Sequence, residues 1–387
     1  MEAALENIHR CFRCGYCKYT DGHWELNCPA YLRKRFETYS SGGRLWLLRA
    51  WLRGEVEWTP RLGDVVYACT TCRNCVEQCP FKFRDMVIDM VVAGRREMVE
   101  RGLVPAKVKE FLENLQRQGN PWGLARERRA KWLSEVGAPI FTGREDFLLY
   151  LGCLASYDDR AATAAKALIS LLKQAGASFG VLGVEEVCDG HEAYLLGEQG
   201  LFELLAESNW AKFQRLGVKE VVTLSPHALH AFTSLYPRLG FEVKARHYTE
   251  ALIDALRQGR LTPGELKVRA ALHDPCYLGR HLGLYEPPRA VLRSVPGLEL
   301  IELARSRERA LCCGGGSGHF YFDLLAGAGA PAKARVHDAL EAGVEILAVA
   351  CPACLVMLDS AVKEEGLEGE LLVKDVAELL AEACGLA

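Results

Sequence analysis

Four cysteines in the spacing Cys69-x2-Cys72-x2-Cys75-x3-Cys79-Pro80 constrain this chain more than any other feature. Three thiolates from one tight loop hold a cubane 4Fe-4S cluster, and the fourth cysteine is handed to a second cluster. The loop recurs as Cys11-x2-Cys14-x2-Cys17, with Cys28-Pro29 arriving after ten residues instead of three. That insertion lengthens the loop without removing a ligand. The exchange rule for two-cluster proteins assigns Cys11, Cys14, Cys17 and Cys79 to one cubane, and Cys69, Cys72, Cys75 and Cys28 to the other. Paired structural zinc sites are the competing reading, but zinc modules supply ligands as two separated cysteine pairs, a geometry that three cysteines at consecutive x2 spacing serve badly. Fully cysteine-ligated iron leaves no position for substrate, so these loops read as carriers of single electrons.

The whole chain has 16 cysteines in 387 residues. Residues 1–9 are acidic and lack the basic and apolar regions of a secretory leader, so the expected location is the cytoplasm, or its membrane face where a partner holds the chain there. Thiols stay reduced in that compartment, and metal explains the cysteines better than disulfides do. The net charge of -3 lacks the electrostatic footprint of a nucleic-acid binder. The longest stretch free of acidic and basic residues, 221–237, contains Thr, Ser, Pro and His, whereas a membrane span needs about 20 predominantly apolar residues. No transmembrane segment is expected.

At roughly 100 to 200 residues per domain, two to four domains are expected. Residues 1–145 hold 24 Lys+Arg against 18 Asp+Glu, leaving 23 against 32 for the rest, so the composition shifts near residue 140. Before it, cysteine loops alternate with Arg-rich helical stretches, and residues 118–123 break any long helix. One such stretch, 44–53, has an apolar face and three arginines. It suits docking on a membrane partner or shielding the clusters, and the second is expected because most amphipathic helices face their own core.

After residue 140, apolar runs at 147–151, 179–182, 221–224, 268–272, 298–303 and 346–349 alternate with helical patterns at 161–174, around 289–293 and at 322–342. Short apolar strands between helices predict parallel sheets. The expected fold is therefore a multidomain α+β and α/β chain: a helical ferredoxin-like domain at 1–140, then two tandem α/β lobes at 141–265 and 266–387.

The lobes are a repeat. Cys276 lies 123 residues after Cys153, and Cys312 lies 124 after Cys188. Carried forward, Asp189 falls on Cys313, Ser225 on Cys351 and Ala228 on Cys354. The second lobe thus has Cys276, Cys312, Cys313, Cys351 and Cys354 at the ends of predicted strands, where α/β sheets bind ligands. Glycines 314–316 permit the close backbone approach that a bulky cluster needs. A phosphate cradle at 314–318 competes, but the Lys-Ser/Thr of a P-loop is missing.

The arrangement Cys276-x35-Cys312-Cys313-Gly314-x36-Cys351-x2-Cys354 resembles the cysteine-rich CCG domain. A two-cluster ferredoxin domain followed by two such lobes is similar to the catalytic iron-sulfur subunit of heterodisulfide reductase. Related layouts occur in the iron-sulfur subunits of glycolate, lactate and glycerol-3-phosphate dehydrogenases and in a class II benzoyl-CoA reductase subunit. The resemblance implies a noncubane 4Fe-4S cluster on Cys276, Cys312, Cys313, Cys351 and Cys354, which would be the catalytic site, beside the two cubanes. The first lobe keeps only Cys153 and Cys188 of the motif. His191, His227 and His230 offer a zinc site with them, but a scaffold is expected. Cys384 reads as a small buried hydrophobe.

The family resemblance implies an oxidoreductase subunit that moves electrons through the cubanes to or from the noncubane site, with thiol/disulfide redox chemistry there. The alternative is a non-catalytic electron-transfer subunit of a larger flavin-containing dehydrogenase or reductase, of the 2-hydroxy acid dehydrogenase or benzoyl-CoA reductase type. A structural, zinc-bound assembly factor is the third reading. Expected partners are a flavoprotein, an electron-bifurcating subunit or a membrane cytochrome b, and not nucleic acid. No flavin or NAD fingerprint is present, so hydride chemistry belongs to a partner.

Overall fold

The computed structural model describes residues 6–20 and 25–386. The first five residues of the stretch read for a leader, and residues 21–24 of the insertion before Cys28, lie outside the described residues.

The amino-terminal part is helical, with its longer helices at Ser41–Leu52, Pro60–Tyr67, Val87–Glu100 and Ala106–Gln118. Ser40 caps the first of these by accepting the Gly43 amide at 3.1 Å. Leu45, Leu48 and Trp51 are buried in one core with Val66, Tyr67, Met90 and Val91. The helix thus faces inward, as expected. Gly94 makes this packing possible, since a Cβ there would lie 2.7 Å from Leu48 Cδ2. Arg44 is buried as well, donating to the carbonyls of Val65 and Tyr39 at 2.9 Å each. The helix Ala106–Gln118 ends at Gly119, whose φ of 69° is the left-handed cap that the predicted break requires.

Two parallel sheets follow. In the first lobe β1 (Phe147–Tyr150), β2 (Phe179–Gly180), β3 (Val221–Thr223) and β4 (Ala245–His247) lie in the order β2-β1-β3-β4. In the second, β5 (Val268–Leu272), β6 (Leu298–Ile301), β7 (Ile346–Val349) and β8 (Leu372–Asp375) repeat that order as β6-β5-β7-β8. The registers set Leu148 beside Val221 and Ala270 beside Ile346. All of β1 and β7 is buried, as strands covered by helices on both faces must be.

Two expectations need correction. The helical pattern at 322–342 is interrupted: a single turn at His319–Phe322 is followed by Gly327 and Gly329 at φ of 103° and 76°, and the helix proper is Pro331–Glu341. Proline suits a first helical turn and the two left-handed glycines cannot lie inside one. The edge strands β4 and β8 were not anticipated, because Arg246 and Lys374 interrupt their short apolar patterns.

The lobes pack through the helices Asp159–Gln174 and Val376–Ala383. Arg160 crosses the joint to Glu378 at 2.8 Å and Asp359 at 3.3 Å. Tyr248 donates its hydroxyl to Asp375 at 2.6 Å beside them.

Candidate metal centres

In both amino-terminal loops the residues flanking the second cysteine are left-handed. Around Cys14 these are Arg13 and Gly15, at φ of 54° and 89°; around Cys72 they are Thr71 and Arg73, at 52° and 62°. Three of the four carry side chains, so the backbone bears strain of the kind that ligand clamps hold. The curl turns the sulfurs inward. Cys11 neighbours Cys14 and Cys79, while Cys28 neighbours Cys72 and Cys69, and Cys75 neighbours Cys69, Cys17 and Cys72. The two expected sets are each brought together, and Cys17 and Cys75 meet at the seam between them.

The donor chemistry fits a metal cluster. Burial pushes the Cys17 thiol up to about 12, with Cys28 and Cys11 crowding it further. Burial also pushes Cys28 up to about 11 against the pull of Arg44. Crowded, buried thiols become thiolates when a positive centre joins them. A cavity of about 30 Å³ opens among Cys11, Cys14, Cys17, Cys75 and Cys79. Gly42 forms part of its wall, and a Cβ there would stand 3.3 Å from Cys11 Sγ.

The second lobe builds its constellation at the carboxyl ends of β5, β6 and β7. Cys276 follows β5, Cys312 and Cys313 follow β6 on a long loop, and Cys351 precedes the helix Pro352–Glu365 that holds Cys354. All five are buried. Cys312 Sγ lies 3.8 Å from Cys276 Sγ, and Cys313 Sγ lies 3.4 Å from Cys354 Sγ. Hydrogen bonds from Cys312 and Cys354 hold Cys313 well below the usual thiol range, and His273 adds to this.

His273 escaped the sequence reading, although it stands three residues before Cys276. Its ring joins Cys313 and Cys354, with the three ligand atoms within 4.8 Å of one another. Arg280 was missed too; its guanidinium neighbours Cys72, Cys276 and Cys312. His273 Nε2 and Arg280 Nη2 are buried without a hydrogen-bond partner among the described residues. Two orphaned polar groups beside five thiols fit a sulfide-rich, anionic group.

This centre is joined directly to the Cys69–Cys75 loop. Cys312 neighbours Cys72, and Thr70 Oγ1 lies 3.9 Å from Cys312 Sγ. Gly316 approaches the same loop so closely that a Cβ would be 2.5 Å from the Thr70 carbonyl oxygen. Thr71 Oγ1 shares hydrogen bonds with Tyr277 Oη at 2.7 Å and Ser317 Oγ at 2.9 Å. Arg280 donates to the Cys72 carbonyl at 2.6 Å.

The corresponding place in the first lobe is different. Cys153 and Cys188 face each other, while Asp189, Ser225 and Ala228 stand where the motif has cysteines. His191 and His227 gather with Glu192, a residue the sequence reading passed over. His227 Nδ1 is 2.6 Å from Glu192 Oε1, and His191 Nε2 is 3.1 Å from His230 Nδ1. The imidazoles do not join the two cysteines in one metal-ligating group among the described residues. Cys384 is half-buried near the chain's end.

Residues 147–232 and 270–359 match the cysteine-rich domain model, and residues 7–83 match the 4Fe-4S dicluster domain. One component of the dihydromethanophenazine:CoB–CoM heterodisulfide reductase of Methanosarcina barkeri is 30% identical over 412 residues, covering 99% of this chain and 95% of the relative. This chain belongs to that heterodisulfide reductase family. Its amino-terminal match is to an iron–sulfur dicluster domain, and its relatives are named as oxidoreductases and reductase subunits. The family includes longer proteins. The probable iron-sulfur-binding oxidoreductase FadF of Bacillus subtilis is 37% identical over 345 residues, 85% of this chain and 48% of that one. The EtfAB:quinone oxidoreductase of Syntrophomonas wolfei is 33% identical over 427 residues, 98% of this chain and 58% of that one. The chain therefore spans about half the length of the curated relatives it first matches. A hypothetical protein from Helicobacter pylori shares the fold alone, with a TM-score of 0.56 at 12% identity over 100% of this chain and 73% of that chain. Among the described residues no helix is long and apolar enough to cross a membrane.

Proposed function

We propose that this chain carries three iron–sulfur clusters in series and reduces or forms a thiol/disulfide bond at the third. Cys11, Cys14, Cys17 and Cys79 would hold the outer cubane, and Cys28, Cys69, Cys72 and Cys75 the inner one. Cys276, Cys312, Cys313, Cys351 and Cys354 would hold a noncubane cluster, with the ferredoxin-like domain ending near residue 140 and the second lobe beginning near 266. When bound, the clusters supply one-electron carriers and a thiophilic iron site. The single observation that carries this reading is that the Cys72 and Cys312 side chains adjoin each other, with Thr70 Oγ1 of the inner loop 3.9 Å from Cys312 Sγ.

The polypeptide's part is positional. Arg280 ties the Cys72 carbonyl at 2.6 Å to that of Ala310 at 2.6 Å, fixing the two loops in register. Arg95 does the same from the other side, donating to the Cys69 carbonyl at 2.5 Å and to Ser317 Oγ at 3.1 Å. Buried guanidinium groups also offset negative charge that would otherwise make reduction unfavourable.

A second reading is favoured by the first lobe, which lacks three of the five motif cysteines. In it the chain does no substrate chemistry and conducts electrons within a larger complex, with a flavoprotein on one side and a quinone-reducing or cytochrome partner on the other. Anaerobic purification followed by metal analysis and assay with a disulfide substrate separates the two. Roughly twelve iron atoms per chain with disulfide reduction lost in Cys312→Ser supports the first; full iron with no disulfide turnover supports the second. Zinc in place of iron would remove both.

A further inference from the structure

The first lobe has lost a five-cysteine site, and what is left in its place is chemically specific. Cys153 sits in the first turn after β1 and Cys188 in the loop after β2, and their thiols face each other. Arg129 Nη2 donates to Cys153 Sγ at 3.3 Å. That guanidinium is fully buried and locked, since Glu186 accepts from it at 2.6 Å while also accepting the Leu151 and Gly152 amides at 2.9 Å each. The Cys188 loop is equally fixed: Tyr150 Oη donates to the Val187 carbonyl at 2.7 Å, and Asn209 donates to that of Cys188 at 2.9 Å.

The two sulfurs differ in the way a reactive pair must. Cys153 is partly buried and Cys188 is buried. The hydrogen bond from Cys188, helped by Arg129 against burial, holds Cys153 below the usual thiol range, while Cys188 is pushed up. A guanidinium-paired thiolate is the nucleophilic form, and a buried protonated neighbour is the resolving form. Both line one cavity of about 50 Å³ with Glu192, His227, Phe320 and Pro352. Pro352 adjoins Cys351, so this cavity also reaches the five-cysteine centre of the second lobe.

We propose that Cys153 and Cys188 form a redox-active dithiol, a second reaction site opening on this cavity, which takes small uncharged organic disulfides. The Cys153 thiolate attacks the disulfide, forming a mixed disulfide and expelling one substrate thiolate. Cys188 passes its proton to that thiolate and attacks Cys153 Sγ, expelling the second thiolate and leaving a Cys153–Cys188 disulfide. The substrate has gained two electrons and the pair has lost two. Two electrons delivered singly by reduced iron–sulfur clusters, with one proton, restore thiolate and thiol, and a second proton from water neutralises the released thiolate. The reset rests on the electron path proposed above; the exchange itself does not.

The test uses the full chain with its clusters, purified anaerobically and poised in mixtures of reduced and oxidised dithiothreitol, a small uncharged probe. After acid quenching and alkylation, peptide mapping is expected to show Cys153 and Cys188 passing together from alkylated to linked in one two-electron transition, at constant iron content. Persistence of both free thiols at every poise, separate transitions, or a stoichiometric metal ion released with the pair would overturn the proposal. In a Cys188→Ser background, Arg129→Gln is expected to slow alkylation of Cys153 at pH 7 by about tenfold. An unchanged rate would remove the acidifying role on which the exchange depends. Should that variant not fold, the mapping of the unaltered chain decides. Loss of disulfide reduction in Cys312→Ser with the Cys153–Cys188 couple intact would touch the electron path alone.

Discussion

Cys72 and Cys312, 240 residues apart in sequence, are neighbours across the boundary between the amino-terminal helices and the second lobe. They belong to different cysteine sets, so either can be removed without taking a sulfur from the other's set. Cys312→Ser is expected to lower bound iron by about four atoms of roughly twelve, leaving both cubane signals in the reduced EPR spectrum. Retention of all the iron would show that Cys312 is not a ligand.

The crossing of the amino-terminal loops has its own test. Cys28 neighbours Cys72 and Cys69 of the distant loop, and it also crowds Cys17 at the seam between the two sets. Cys28→Ala is therefore expected to perturb the cluster of the Cys69–Cys75 loop and spare that of the Cys11–Cys17 loop. The opposite pattern in EPR would reverse the assignment.

Gly316 probes the seam between the two centres by volume alone, since its φ is not left-handed. A Cβ 2.5 Å from the Thr70 carbonyl oxygen forces the loops apart. Gly316→Ala is expected to cost about 1–3 kcal/mol of stability and to slow electron passage from the cubanes to the second lobe at unchanged iron content. Thermal unfolding and stopped-flow reduction measure the two effects, and an unaltered rate would mean that electrons do not cross here.

Acid should loosen the contact between the lobes. Burial lowers the folded-state pKa of His247 to about 3, with the backbones of Leu224 and Ala350 pulling the other way. An unfolded histidine titrates near about 6.5. The folded state thus binds its proton less tightly, so the stabilisation is complete above about 6.5 and is lost as the pH falls toward the folded value. Between pH 6.5 and 5 this one residue removes about 2 kcal/mol. His230 and His281, partly buried and lowered chiefly by desolvation, act with the same sign. Thermal midpoints at pH 7 and pH 5 are expected to diverge, and His247→Asn to narrow the gap; an equal gap would assign the effect to the other histidines.

The cysteine spacings made both loops and the lobe repeat legible, because ligand geometry leaves few arrangements open. The fully buried strands were readable for a similar reason: β1 and β7 have no polar face to interrupt the pattern. What escaped was paired polarity. Arg129, Arg280, His273 and Glu192 look like ordinary surface residues in one dimension, and only folding reveals that each is buried against a sulfur or an imidazole. The contact of Cys72 with Cys312 is tertiary and leaves no local trace.

Sulfur exposure is graded along the chain's interior: Cys14 is exposed, its loop companions are half-buried, and every cysteine of the second-lobe centre is buried. In the arrangement proposed above, dissolved oxygen would therefore meet the outermost cluster first. Damage by air would follow an order, with the amino-terminal loop acting as a fuse that fails and cuts off current while the deepest centre is still whole.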